Sequence, residues 1–169
     1  MLRIITVIAL ILLGAILLLE AGLSLQWRMV HDAPLLSYVA WGMSTLGSVP
    51  YVDIFDMNAP GAYTFHVLVG HVFGFGDAGF RAADLLCLLL LSVFTWLAMR
   101  RFGRRVAFAA CILFGLVYLG TGPDMSLQRE YVALVPIAGA VLLAVSGWAL
   151  YQRGLRWAPP GRPVFHDAF

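Results

Sequence analysis

Four long apolar runs constrain this chain more than any other feature of its sequence. Each run is near or above the length that an α-helix needs to cross a hydrocarbon core of about 30 Å at about 1.5 Å per residue. Because 62% of the residues are hydrophobic and only 12% are charged, the composition is that of a chain in lipid. We therefore predict an all-α membrane protein with about four transmembrane helices, at residues 4–25, 82–100, 106–121 and 131–150.

The arginines predict how the chain is threaded through the membrane. Short cytoplasmic loops carry an excess of basic residues, and with four crossings eight arginines fall on one side while six of the nine acidic residues collect in the two loops on the other. All eleven basic residues are arginine, which indicates a GC-rich bacterial genome. We expect a bacterial inner-membrane protein with a cytoplasmic N-terminus. The eight arginines are Arg3, Arg100, Arg101, Arg104, Arg105, Arg153, Arg156 and Arg162.

The loop over residues 26–81 is predicted to be extracytoplasmic and to contain two interfacial helices. The first, residues 32–46, begins with Asp32 as N-cap and ends at Gly47. The second, residues 59–75, is capped by Asn58 and spans only about 24 Å, so we do not count it as a fifth crossing. Residues 1–151 then form one membrane module, and residues 152–169 form a flexible cytoplasmic tail. The apolar stripe predicted for the first helix is Leu35, Val39, Met43 and Leu46.

Three aspartates of this loop, Asp32, Asp53 and Asp56, are the first candidates for chemistry. Carboxylates at a membrane surface can act as a general base, or can gather a divalent cation that neutralises a phosphate leaving group. The alternative is that Asp32 only caps a helix and the others are ordinary loop residues. The identity of any cofactor stays open, and no His or Cys spacing typical of a metal site is present.

The order of motifs resembles the start of the glycosyltransferases of the GT-C fold, and most closely the protein mannosyltransferases and lipid A aminoarabinose transferases. An apolar anchor is followed by His31-Asp32 at the start of a surface helix. Next comes a segment with the pattern G-x-x-P-Y-x-D-x-x-D-x-N-x-P-G over residues 47–61, and later Arg81 begins a membrane helix. The resemblance covers roughly residues 28–150.

The resemblance implies roles for individual residues. Asp32 matches the acidic residue taken as the catalytic base or as the carboxylate that positions the acceptor, with His31 beside it. The segment before the second interfacial helix lines the pocket for the carrier phosphate, so Tyr51, Asp53, Asp56 and Asn58 inherit a binding role. The family often places a cation just before its proline, where this chain has Asn58-Ala59.

The second extracytoplasmic loop and the start of the second long helix supply further charged candidates. Arg129 could bind phosphate as a fixed cation, and Glu130 could be a second acid; the alternative for both is an ion pair or a solvated helix start. Arg81 could lie near phosphate, or it could pair with Asp84 three residues later.

The sequence thus predicts a membrane glycosyltransferase that takes sugar from a polyprenyl-phosphate donor and passes it to a lipid, glycan or protein acceptor. Family members have many more membrane helices, so we expect this chain to be the N-terminal part of such an enzyme, inactive without the missing C-terminal part or a partner subunit. The alternatives are a non-catalytic accessory or carrier-lipid-binding subunit and a small transporter. Nucleic-acid binding has no support, because basic residues are not interleaved with aromatic ones in an aqueous segment.

Overall fold

The computed structural model describes residues 2–55 and 57–157 of the chain. The prediction of an all-α fold is confirmed for these residues, where β pairing is limited to one isolated bridge between Pro50 and Ile54. Short 3-10 turns lie at Arg100–Phe102 and Pro123–Met125. The helices are α1 (Leu2–Ser24), α2 (Ala33–Thr45), α3 (Pro60–Phe73), α4 (Asp77–Met99), α5 (Arg104–Gly120) and α6 (Arg129–Trp157).

Within residues 2–55 and 57–157, three helical segments are long and apolar enough to cross a membrane: Arg3–Ser24, Asp77–Phe102 and Arg129–Trp148. They correspond to three of the four predicted crossings and indicate a membrane protein. The remaining predicted crossing is α5, which has 17 residues and is about 26 Å long. Helix α6 continues to Trp157, into the predicted tail. Asp56 and residues 158–169 lie outside the described residues.

Helix α4 is the centre of the packing. It contacts α3, α5 and α6, while α1 packs on α5 and α2 packs on α3. One apolar cluster surrounds α4 and includes Phe80, Leu88 and Tyr118, and a smaller one joins α2 to α3 through Leu36, Val39 and Tyr63. The order of helices across the molecule is therefore α1, α5, α4 and then α6 or α3, with α2 outermost on α3.

A sharp corner sets α3 against α4. Gly74 ends α3 with a φ of 92°, and Gly79 lies so close to the preceding turn that an added Cβ would be 2.2 Å from the carbonyl oxygen of Phe73. Backbone cannot move aside as a flexible side chain can, so glycine is required at this approach. The corner brings the first turns of α4 under the end of α3.

The buried face of α2 matches the predicted stripe only in part, because Val39 is buried and Met43 packs against the same cluster. Leu36 and Val39 are buried against α3, whereas Leu35 and Leu46 are 48% and 66% exposed. Ser37, which the stripe left on the polar side, is buried and donates a hydrogen bond to the carbonyl of Phe75 at 3.1 Å. The stripe was therefore correct at Val39 and Met43, while α3 covers Leu36 in place of Leu35 and Leu46. The end of α2 was predicted correctly, since Gly47, just beyond the last turn, has a φ of 69°.

The two predicted helix caps also differ in the structure. Asp32 occupies the N-cap position of α2 but its side chain makes no cap hydrogen bond; its carboxylate lies 3.3 Å from Nδ1 of His31 instead. The N-cap of α3 is Ala59, not Asn58. The side chain of Asn58 accepts a hydrogen bond from Arg129, so a contact distant in sequence replaces the local cap that was predicted.

Candidate functional site

Five buried polar side chains meet where the end of α1, the first turns of α4, the end of α5 and the α5–α6 connection come together. Such groups are stable in an apolar interior only when they bond one another. Each of the five is at most 8% exposed. This polar cluster consists of Ser24, Arg81, Asp84, Tyr118 and Ser126.

Arg81 is the centre of the polar cluster. Its Nη1 donates to the Asp84 carboxylate at 2.5 Å and to the Ser126 hydroxyl at 2.5 Å, and its Nε donates to the Ser24 hydroxyl at 3.2 Å. The guanidinium also lies over the ring of Trp27, 4.5 Å from the ring centre. A cation 2% exposed is therefore held by one anion, two hydroxyls and an aromatic face.

Asp84 is the acceptor that joins the cluster to the α5–α6 connection. Its Oδ1 accepts from the Tyr118 hydroxyl and from the backbone N–H of Leu127, the latter at 3.0 Å. The ring of Tyr118 stacks on Tyr131 with centres 4.0 Å apart. In the part of the chain that the structure describes, Nη2 of Arg81 and the hydroxyl of Tyr131 are buried without a hydrogen-bond partner.

The structure places predicted site residue Arg81 inside this cluster. The ion pair that the spacing of three residues predicts with Asp84 is present. Sequence reasoning missed Ser24, Tyr118 and Ser126. Each is a polar residue at the same end of an apolar helix or in the loop beyond it, and that shared depth is the signal that could have found them.

A second group of predicted site residues joins the α2–α3 loop to the start of α6, just after the α5–α6 connection. Arg129, in the first turn of α6, donates from Nη1 to the side-chain oxygen of Asn58, and Tyr51 donates its hydroxyl to the Asn58 carbonyl. The ring of Tyr51 meets Tyr63 edge on. Asp53 is tied to its own loop, where its carboxylate accepts the N–H of Val49 at 2.7 Å.

The remaining predicted residues lie at the surface. Asp32 and His31 form a pair at the start of α2 with side chains 49% and 66% exposed. Glu130 is exposed in the first turn of α6, where a negative charge interacts favourably with the helix dipole. Asp56 falls outside the described residues.

Unusual backbone conformations are concentrated in these loops. Among the described residues, three other than glycine have a positive φ: His31 at 60°, Tyr51 at 67° and Leu127 at 48°. This left-handed region is costly for residues with a side chain, and such strain is often found at binding and catalytic sites. Two of the three are predicted site residues, and the third precedes Arg129 by two positions.

An apolar groove of about 620 Å³ lies between α3, α4 and α6, a volume typical of ligand sites. Its lining includes Ala59 and Gly61 at the start of α3, Leu86 and Leu90 on α4, and Arg129, Val132 and Pro136 on α6. Arg129, the first residue of α6, lies at the end of the groove that is nearest the loops. The groove is therefore apolar along its length with a cation at one end.

His66 also lines the groove. It is 3% exposed, stacks on Phe80 with ring centres 6.0 Å apart and meets Phe65 edge on. Burial lowers the pKa of His66 from 6.5 to about 4. The side chain is thus neutral at physiological pH and adds no charge to the groove.

The described residues hold no group of three or more His, Cys, Asp or Glu side chains arranged for a metal ion. The described helices define an all-α chain with three candidate membrane spans. Comparison with known proteins found no matching family model, no matching curated protein and no matching solved structure.

Proposed function

We propose that this chain is the N-terminal part of a membrane glycosyltransferase and that its groove takes the lipid of a polyprenyl-phosphate sugar donor. The observation that carries the proposal is the apolar groove with Arg129 at its end. A lipid phosphate has matching chemistry, because its hydrocarbon chain suits the apolar walls and its anion suits a guanidinium.

The contact between Arg129 and Asn58 supports the phosphate position. Both residues are candidates from the sequence, and their side chains meet although they lie 71 residues apart. Arginine has five donors, and only Nη1 is used by the contact with Asn58, so donors are left for phosphate oxygens. Tyr51 holds the carbonyl of the same asparagine, which fixes the loop beside the groove.

The transfer reaction assigned to this site is a displacement at the anomeric carbon. The acceptor oxygen forms a bond to that carbon while the bond to the phosphate oxygen breaks, and the acceptor proton passes to Asp32. Arg129 stabilises the departing phosphate. The exposed carboxylate of Asp32 beside His31 is suited to accept that proton from an acceptor arriving from water. The acceptor is a lipid, glycan or protein on the extracytoplasmic side.

The proposed topology has α5 as a fourth crossing and α2 and α3 as interfacial helices in a bacterial inner membrane, with the N-terminus in the cytoplasm. Two observations support it. Helix α5 packs against both α1 and α4, and Gly115 allows Leu17 of α1 to approach it closely, as small residues do between membrane helices. On α2, Tyr38 and Trp41 stack on each other and remain 63% and 37% exposed, as aromatic residues at a membrane interface do.

The experiment measures polyprenyl-phosphate binding to the purified chain in lipid nanodiscs by native mass spectrometry. We expect Arg129→Ala to weaken binding by about 10- to 100-fold, because a hydrogen bond to a charged group contributes about 1.5 to 3 kcal/mol. Arg101→Ala, at an exposed arginine on the opposite end of α4, should leave binding unchanged. Polyprenol without phosphate should bind as weakly to the parent as polyprenyl phosphate binds to Arg129→Ala.

If the parent and Arg129→Ala bind polyprenyl phosphate with equal affinity, Arg129 does not bind the lipid phosphate and that part of the proposal is refuted. Equal binding of polyprenol and polyprenyl phosphate to the parent would refute a role for charge in the groove.

A carrier-lipid-binding accessory subunit is the second candidate function, and it uses the same groove without chemistry at Asp32. The two functions differ when the chain is co-expressed with the membrane partner that supplies the remaining helices. Asp32→Asn abolishes sugar transfer by that assembly if the chain is catalytic, and leaves transfer unchanged if it is an accessory subunit.

A further inference from the structure

The α5–α6 connection is tied to a buried ion pair just before Arg129. Ser126 accepts from Nη1 of Arg81 at 2.5 Å, and the N–H of Leu127 donates to Asp84 at 3.0 Å. Leu127 is 1% exposed and has a φ of 48°. The two hydrogen bonds hold a backbone conformation that the residue alone would not favour.

The ion pair is itself fixed by parts of the chain that do not belong to the groove. Ser24 of α1 accepts from Nε of Arg81, Trp27 lies against the guanidinium, and Tyr118 of α5 donates to Asp84. The position of the pair is therefore set by α1, α4 and α5 together. The connection to α6 takes its position from these three helices through the pair.

We propose that the Arg81–Asp84 pair is a positioning device, which fixes residues 126–127 and so aims Arg129 at the mouth of the groove. The inference rests on the proposed function, since it gives Arg129 a lipid phosphate to bind. A long side chain on a fixed backbone loses less conformational freedom on binding than one on a mobile loop. Arg81 acts through Arg129 and is a positioning residue, because only 2% of it is exposed.

Two serine-to-alanine variants on the same arginine test the proposal. Ser126→Ala removes the link from Arg81 to the connection that carries Arg129, while Ser24→Ala removes the link from Arg81 to α1. We expect Ser126→Ala to weaken polyprenyl-phosphate binding by about three- to tenfold, the loss of one buried hydrogen bond. Ser24→Ala should weaken it far less, because Trp27 and Tyr118 still hold the pair and its link to the α5–α6 connection is intact. Hydrogen exchange at the Leu127 amide should accelerate in Ser126→Ala only.

A double-mutant cycle separates positioning from general destabilisation. If Ser126 acts through Arg129, then Ser126→Ala causes no further loss of binding in the Arg129→Ala background. An equal loss in both backgrounds overturns the inference, because the serine would then act on the fold as a whole. Tyr118→Phe is the second variant if Ser126→Ala does not fold; it keeps the ring stacked on Tyr131 and removes the hydroxyl contacts with Asp84 and with the Met125 carbonyl of the α5–α6 connection.

Failure of the inference and failure of the proposed function give different results. If Arg129→Ala weakens binding while Ser126→Ala changes neither binding nor amide exchange, the positioning role falls and the phosphate site stands. If Arg129→Ala leaves binding unchanged, the phosphate site falls, and the inference falls with it even where amide exchange responds to Ser126→Ala.

Discussion

Removing the Asp84 carboxylate tests whether the polar cluster is sealed from water. Asp84→Leu leaves the guanidinium of Arg81 without its anion, and it takes the acceptor from the Tyr118 hydroxyl and the Leu127 N–H. Breaking a buried ion pair by removing one partner costs about 3 to 5 kcal/mol of unfolding free energy. The double variant Arg81→Met with Asp84→Leu leaves the Leu127 N–H without an acceptor, at about 1 to 3 kcal/mol, and leaves the Tyr118 hydroxyl with the Met125 carbonyl at 3.3 Å. It carries no unpaired charge.

We therefore expect the double variant to be more stable than Asp84→Leu alone by about 2 kcal/mol or more. The assay is the fraction of native protein against temperature in detergent, followed by size-exclusion chromatography. Asp77→Leu is the matched control, because Asp77 is an exposed aspartate on the same helix and accepts only the Met29 N–H at 2.9 Å; its loss should be the smallest. A double variant no more stable than Asp84→Leu would refute the reasoning, since it would mean that the guanidinium is hydrated without its partner.

Three further predictions address topology, chemistry and pH. Cysteine placed at Ser48 should react with an impermeant thiol reagent from the periplasmic side and cysteine at Gly103 should not; labelling of Gly103 from outside would contradict the four-span threading. Asp32→Asn, in a transferase chain that contains these residues, should lower the transfer rate by about two orders of magnitude with normal expression, and an unchanged rate would remove Asp32 as the base. Burial lowers the pKa of His66 to about 4 from 6.5, so the unfolded chain takes up a proton at this histidine first as the pH falls. The contribution of His66 to the free energy of unfolding is therefore constant above pH 6.5 and declines towards pH 4. Melting temperatures between pH 7 and pH 4.5 should show that decline in the parent and in the exposed-site control His71→Gln but not in His66→Phe, and a decline that persists in His66→Phe would assign it elsewhere.

The helices were predictable from the sequence because their causes are local. Apolar runs, Gly47 after α2 and Pro60 in the first turn of α3 each act within a few residues, and the helix bounds agree with the predicted ones to within a few residues except at the start of α4 and the end of α6. The errors arose where a distant group competes with a local one. Asn58 was predicted to cap α3, but Arg129 provides a charged donor from 71 residues away and takes the side chain.

The polar cluster was only half predictable for the same reason. Arg81 and Asp84 are three residues apart, so their pairing follows from helix geometry. Ser24, Tyr118 and Ser126 reach that pair across 34 to 57 residues, and nothing in the sequence around each of them indicates a partner. The buried face of α2 could be predicted only in part for the same reason, because contacts with α3 and with the Phe75 carbonyl determine it.

The local character of the Arg81–Asp84 pair has a consequence for how the chain is made. At about 5 to 20 residues per second, the ribosome adds Ser126 and Leu127 several seconds after Asp84, and Tyr118 arrives only slightly earlier. During that interval α4 has an arginine and an aspartate close to its start and lacks most of their final partners. Because the two charges lie on one helix face, they can neutralise each other as soon as the helix forms, which lowers the cost of transferring α4 into the bilayer during insertion. The later segments then dock onto a pair that is already assembled.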